Sequence, residues 1–94
     1  MVFSNTERGF AIARFADLYG IECSAQDSSL ATEAALWLGP SAANPKRLVA
    51  GKGWQDAPLP DDVSCTTRMH LNEAQARELI VVLQRFVDTG SVQP

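Results

Sequence analysis

An amphipathic segment near the carboxyl end constrains the fold of this chain more than any other feature. Its apolar residues recur at helical spacing and form one stripe, which comprises Ala76, Leu79, Ile80, Leu83, Phe86 and Val87. Asn72 is a favourable N-cap with Gln75 three residues later, and Gly90 suits the left-handed residue that ends a helix. The sequence therefore predicts a helix over about 73–88, with one face that packs on an apolar surface.

The segment directly before this helix has the alternation of a β-strand. Over 64–71, Met69 and Leu71 alternate with Arg68 and His70, and the neighbouring threonines favour an extended backbone. We expect the side with Met69 and Leu71 to meet the helix. The opposite side, with Arg68 and His70, is expected to face water or a partner.

The amino-terminal part fits two structures. Over 10–19 the apolar residues suit a helical stripe that stops at Gly20, and equally a strand followed by a turn at 17–20. The next stretch, 21–26, alternates cleanly and needs a partner strand, so we favour a hairpin with Gly20 as a bulge residue. A short apolar run at 35–38 indicates a buried strand, and 29–33 suits one helical turn.

The middle of the chain, 39–62, has the proline and glycine content of a long loop. Within it, Asn44 followed by Pro45 is typical of a helix start and Gly51 of a helix stop, which predicts a helix of one to two turns. The chain is expected to form one small domain, 1–94. Its fold class is α+β: a three- to four-stranded antiparallel sheet with the carboxyl-terminal helix packed on one face.

Charge and composition disfavour several functions. Eleven acidic residues against eight basic ones give a net charge of -3, whereas general nucleic-acid binders and proteins that dock on acidic membrane surfaces are normally basic. No apolar run approaches the roughly 20 residues that span a bilayer. The first ten residues lack the apolar core of a signal peptide. We expect a cytoplasmic protein.

One histidine and two cysteines offer little for catalysis or metal binding. On one strand, Cys65 and His70 would point to opposite faces because their separation is odd, and Cys23 belongs on the core face. We expect both cysteines to be reduced, buried thiols, and we expect no metal site, no cofactor and no enzyme. A small hydrolase that uses a cysteine or His70 is the least favoured function.

Two surfaces are candidates for binding. The outer face of the sheet is expected to carry charged and hydrogen-bonding side chains and one imidazole: Arg14, Glu22, Ser24, Gln26, Arg68 and His70. This face is our candidate protein-binding surface. The central loop is a candidate site for an anionic ligand, in which an indole stacks on a base and cations hold phosphate: Lys46, Arg47, Lys52 and Trp54.

Five short segments of the sequence are informative for a reason other than their apolar pattern. They are IECSAQ (21–26), SSLATE (28–33), WLG (37–39), TTRMHL (66–71) and FVDTG (86–90). As a set they resemble a group of small proteins encoded by tailed bacteriophages and prophages. No catalytic motif or ligand comes with that group, so the resemblance implies only a setting, a phage accessory gene expressed in bacterial cytoplasm.

In that setting, small acidic proteins without an enzyme signature often act by binding, an argument from analogy. Our first hypothesis is a non-enzymatic accessory protein that binds and inhibits or modulates a host protein, in counter-defence of the anti-CRISPR kind. The second is an oligomeric protein that sequesters a nucleotide or another small ligand. A homodimer through the carboxyl-terminal helix is a further hypothesis, with Val81, Val82 and Leu48 at its contact.

Overall fold

The computed structural model describes residues 1–30 and 32–94, which form seven strands and one helix. The strands are β1 (Val2–Asn5), β2 (Ala11–Ala16), β3 (Glu22–Asp27), β4 (Ala35–Pro40), β5 (Lys46–Val49), β6 (Gly53–Asp56) and β7 (Met69–Asn72). The helix α1 spans Glu73–Thr89. No helix within these described ranges is long and apolar enough to cross a membrane.

The main sheet has five antiparallel strands in the order β1-β2-β3-β4-β7, and β5 and β6 form a separate two-stranded sheet. The α+β class is confirmed. The prediction of three or four strands was too low, because β1 and the β5–β6 hairpin were not recognised. β1 is short and has no apolar-polar alternation, so its sequence carries no strand signal.

The amino-terminal hairpin is confirmed, since β2 pairs antiparallel with β3. Asp17 holds the turn, because its carboxylate accepts hydrogen bonds from the backbone N–H groups of Tyr19 and Ile21 at 2.8 and 2.9 Å. Gly20 lies in this turn with φ +81°. The strand predicted at 35–38 is also confirmed as part of β4, although it is only half-buried. The helical turn suggested at 29–33 includes Ala31, which lies outside the described residues.

The limits of α1 are also as predicted. Asn72 and Gln75 form a reciprocal capping box, in which each side chain accepts from the other residue's backbone N–H. Gly90 adopts the left-handed conformation at φ 80° and its N–H donates to the Phe86 carbonyl at 2.7 Å. These two caps account for both ends of the helix.

The central segment differs from its prediction. The short helix expected after Pro45 is the strand β5, and much of the supposed loop over 39–62 is the β5–β6 hairpin. Cross-strand pairing of Leu48 with Trp54 favours the hairpin over the local helix signal, and Gly51 at φ +76° forms its turn.

The strand expected over 64–71 begins only at Met69. It pairs with β4 from Leu38 back to Ala35, and the ladder ends there because the next β4 residues are Gly39 and Pro40. Gly39 has φ +140°, outside the strand region, and Pro40 has no N–H to donate. Cys65 therefore lies before the strand and is exposed, which corrects the prediction that both cysteines are buried.

The helix is not packed on one face of the sheet, which corrects the architecture expected from the sequence. Among the strands it contacts chiefly β7, the strand that it directly follows. Its apolar stripe is largely uncovered, with exposed fractions of 65% for Ile80 and 74% for Val87. The physical reason lies in the chain path: β7 ends at Asn72 and α1 begins at Glu73, so no residue is left to form a reversing connection.

Gly39→Ala tests the end of the β4–β7 ladder. An added Cβ would lie 3.1 Å from the Thr67 carbonyl oxygen and 3.3 Å from Arg68 Cα, on a backbone with φ +140°. We expect a loss of about 2 kcal/mol in the free energy of unfolding, typical of strained backbone. For a chain of this size that lowers Tm by roughly 10 °C.

Gly9→Ala is the matched control, because its φ is also positive but an added Cβ meets nothing within 4 Å. Thermal unfolding followed by circular dichroism should show the smaller loss in this variant. Equal losses in the two variants would contradict the contact at Gly39.

Candidate functional site: the polar sheet face

The register of the five-stranded sheet gathers the residues predicted for its outer face. Gln26 lies opposite Trp37, and Trp37 lies opposite His70. Arg14 and Ser24 are paired on the neighbouring row, where Gly39 follows on β4. We call this surface the polar face, and its members are Arg14, Glu22, Ser24, Gln26, Trp37, Arg68 and His70.

Arg68, the residue before β7, contacts two strands of the polar face, β3 and β4. Its Nη1 donates to Gln26 Oε1 at 2.8 Å and to Ser24 Oγ at 3.3 Å. The guanidinium carbon lies 4.6 Å from the centre of the Trp37 ring, within the range of a cation-π contact. Three contacts therefore fix the position of the guanidinium on the indole.

His70 contacts the same indole from another side. The rings of Trp37 and His70 are edge to face with centroids 5.3 Å apart. A hydrogen bond of 2.8 Å joins His70 Nε2 and Ser28 Oγ. Trp37 is thus held by a cation and an imidazole, yet 39% of its surface is exposed.

Trp37 is the functional candidate that the sequence interpretation missed. It lay inside a short apolar run and was assigned to the core with its neighbours. The available signal was alternation: Leu36 and Leu38 lie on one face of β4, so the residue between them must lie on the other.

Ser24 has a different role from the one expected, since it is only 1% exposed. Its hydroxyl accepts hydrogen bonds from Arg68 Nη1 and from Ser41 Oγ, the latter at 3.2 Å. The hydroxyl therefore helps to position the guanidinium of Arg68 and is not accessible to a partner.

The polar face carries an excess of one positive charge, from Arg14 and Arg68 against Glu22, and beside it Arg8 and Glu7 balance each other. Arg14 donates to Ser4 Oγ at 2.8 Å and lies 3.9 Å from the carboxylate of Glu22. Arg8 lies over the Phe10 ring at 5.5 Å. Among the described residues no carboxylate lies within 4 Å of the Arg68 guanidinium, so its charge is balanced only by neutral groups.

Two cavities flank Trp37. One, of about 430 Å³, is lined by Trp37, Ser41, Cys65, Thr66, Thr67, Arg68 and His70. The other, of about 410 Å³, is lined by Thr6, Glu7, Arg8, Phe10, Gln26, Ser29 and Trp37. The indole is the wall that both cavities share.

Cys65 and His70 line the same cavity, which corrects the expectation that they point to opposite faces. The alternation argument fails because Cys65 precedes β7. Within 1–30 and 32–94 no hydrogen bond joins the two side chains, and His70 Nε2 is engaged by Ser28. Cys23 is buried on the opposite, apolar face of the sheet.

The predicted anionic-ligand loop does not converge on one point. Lys46 is paired with Asp56, and Trp54 lies opposite Leu48 on the same side of the hairpin, both largely exposed. Arg47 is one position out of phase with these residues and therefore lies on the other side, whereas Lys52 is in the turn. In the described part of the chain, no three of the His, Cys, Asp and Glu side chains are close enough to hold a metal ion.

Arg68→Ala should uncover one side of the Trp37 ring. In a Trp54→Phe background, where Trp37 is the only tryptophan, we expect acrylamide to quench the fluorescence more strongly after this change. Arg14→Ala is the control, because Arg14 lies on the same face without a contact to Trp37. Unchanged quenching in the Arg68 variant would contradict the stacking.

The ion pair of the hairpin has a pH signature. The hydrogen bond and the positive charge of Lys46 hold the pKa of Asp56 below its ordinary value. This depressed pKa makes the pair stabilising at neutral pH, and the contribution is lost as pH falls through the pKa of the folded state. Lys46→Met should raise the pKa of Asp56, measured by NMR titration of its carboxyl carbon, and an unchanged midpoint would exclude the pair in solution.

Comparisons of this chain with protein-family models, with curated proteins and with solved structures find no match.

Proposed function

We propose that this protein is a non-enzymatic phage accessory protein that binds a host protein through its polar face and thereby inhibits or modulates it. The observation that carries the proposal is the placement of Trp37, which stands partly exposed on the sheet between Arg68 and His70. The resemblance of the five sequence segments to phage proteins supplies the bacterial setting.

Tryptophan and arginine are the residue types most enriched among side chains that dominate protein interfaces. Here they are adjacent and already ordered, because hydrogen bonds to Gln26 and Ser24 hold the guanidinium against the indole. A pre-ordered side chain loses less conformational entropy on binding, which favours affinity. The open β-surface around Trp37 is shaped for contact with another surface.

The charge of this surface indicates the chemistry of the partner. Arg8, Arg14 and Arg68 lie on or beside the polar face, and Arg68 has no carboxylate partner in the described residues. An acidic patch on the host protein would supply the missing counter-charge. Binding of this kind weakens with added salt, because exposed charges are screened.

A second candidate function is sequestration of a small anionic ligand such as a nucleotide. The cavity beside Trp37 measures about 430 Å³, within the range of ligand pockets, and Arg68 and His70 line it with the indole. The sequence had instead indicated Lys46, Arg47, Lys52 and Trp54 of the central segment as the site for such a ligand. Mono- and cyclic nucleotides at millimolar concentration should then raise Tm of the wild type but not of Trp37→Ala.

The test of the main proposal is affinity capture from bacterial host lysate followed by titration of the isolated partner. Trp37→Ala should weaken binding by about 30-fold, the effect of losing an interface residue that contributes about 2 kcal/mol. Trp54→Ala is the matched control, because Trp54 is an exposed tryptophan on the separate hairpin. Circular dichroism checks that both variants are folded.

Three results would overturn the proposal. One is a host lysate that yields no saturable partner. Another is a partner whose affinity falls with Trp54→Ala and not with Trp37→Ala, since binding would then involve the hairpin. The third is a nucleotide effect on Tm that depends on Trp37, which would favour sequestration instead.

A further inference from the structure

Two apolar surfaces of this chain are left without a cover. The first is the stripe of α1, where Leu83 and Phe86 are 52% and 54% exposed. The second is the side of the main sheet opposite the polar face, which we call the apolar sheet face. Its apolar members include Phe3, Ala13, Phe15, Cys23, Ala25, Leu36, Leu38, Met69 and Leu71, and the polar residues Asn5 and Asp27 lie on the same side near its border.

The apolar sheet face is only partly buried in the single chain. Three side chains in the described ranges are buried, and two of them, Ile12 and Ser24, point to the side of the polar face. Cys23 is the sole buried member of the apolar sheet face, whereas Phe3 is 76% and Met69 53% exposed. Apart from the contact of α1 with β7, the main contacts between elements join only strands that are neighbours in a sheet, so no layer of secondary structure covers this side as an apolar sheet face requires.

The total surface area leads to the same conclusion. The chain exposes 7596 Å², whereas a compact monomer of its mass exposes about 5,300 Å². Its radius of gyration is 16.5 Å, against about 12 Å for a compact chain of this length. The separate β5–β6 hairpin contributes to this excess, since Leu48 and Trp54 are 64% and 67% exposed. The excess of about 2,300 Å² is nevertheless well above the roughly 800 Å² that each partner buries in an interface of standard size.

The helix cannot easily cover its own sheet. Asn72 is both the last residue of β7 and the N-cap of α1. A helix that folds back over the preceding sheet needs a connection of several residues, and none separates these two elements. The capping box fixes the helix start and opposes partial unwinding that would create such a connection.

We propose that two copies of this chain form a helix-exchanged dimer, in which α1 of each copy lies on the apolar sheet face of the other. The sheet provides a fitting surface, because one register row crosses all five strands and has small residues in its middle: Phe3, Ala13, Ala25, Leu38 and Met69. The two alanines form a trough between the larger side chains at either end.

The dimensions of the two surfaces match. The 17 residues of α1 form a rod of about 25 Å. Five strands span about 19 Å across the sheet. One helix therefore reaches across the whole apolar sheet face. The exchange is isologous: each copy gives a helix and receives one, so both uncovered surfaces are satisfied and the assembly closes.

The proposal is independent of the proposed function, because no residue of the polar face takes part in the exchange. The layers of the dimer are sheet, helices, sheet, and both polar faces point outward.

The experiment measures the mass of the intact protein by light scattering after size exclusion, at concentrations from one to one hundred micromolar. We expect twice the 10.2 kDa of one chain. A monomer across this range, or an assembly of more than two chains, overturns the proposal. The wild-type measurement alone is decisive on this point, even where a variant fails to fold.

Three variants with matched exposure separate helix exchange from other dimers. Leu83, Met69 and Val81 are 52%, 53% and 52% exposed, and each is replaced by lysine. Leu83 lies on the helix stripe and Met69 on the apolar sheet face, so both substitutions should shift the dimer to monomer by at least tenfold in dissociation constant. Val81 lies off the stripe, and Val81→Lys should leave the dissociation constant within about threefold of the wild type.

A dimer that is lost with Leu83→Lys and kept with Met69→Lys would show that helices pair with helices, which overturns the exchange. A dimer that is lost with Val81→Lys and kept with Leu83→Lys would place the contact on the other side of α1, which overturns it equally. The dependence of the wild-type Tm on protein concentration is a second readout that needs no variant, because a folded monomer does not show it.

Discussion

The absence of any connecting residue between β7 and α1 is the constraint on which the rest of the structure depends. Asn72 ends the sheet and caps the helix at once, so the helix leaves the sheet from its end. The apolar stripe of the helix consequently meets the apolar side of the sheet only near its start, where Ala76 lies beside Leu36 and Leu71. This separation and the isolated β5–β6 hairpin together account for the large surface area of the chain, and the second copy proposed above would supply the missing contacts.

The opposite side of the sheet is organised by one guanidinium. Arg68 comes directly before the first residue of β7. Its side chain crosses β4 and donates hydrogen bonds to residues of β3. Its contacts are neutral, so they orient the charge without cancelling it. The full burial of Ser24 shows that this side of the sheet is internally packed around the guanidinium.

Local signals in the sequence were sufficient for the elements that are determined locally. The capping box at Asn72 and the glycine at position 90 define α1. The alternating stretch 21–26 requires a partner strand, which identifies the β2–β3 hairpin. The β5–β6 hairpin was missed because Asn44 and Pro45 give a valid helix-start signal that cross-strand pairing overrides.

The sequence predicted on which side of the sheet the candidate site lies, but it did not identify the central residue, Trp37. Alternation alone put Arg68 and His70 on the outer side, whereas Trp37 was absorbed into an apolar run. The packing of α1 was beyond sequence periodicity, because a stripe indicates that a helix needs a cover and not which chain supplies it. Cys65 shows the same limit, since its strand assignment depended on where the partner strand stops.

The two outermost strands of the main sheet, β1 and β7, have only four residues each. Short borders give little backbone for an incoming strand to pair with, which discourages lateral addition of further sheets. The short edge strands therefore disfavour growth into open-ended fibrils, even though much apolar surface is exposed. In the proposed dimer, self-association would use the broad surfaces instead, and its two-fold symmetry would end growth after a single step.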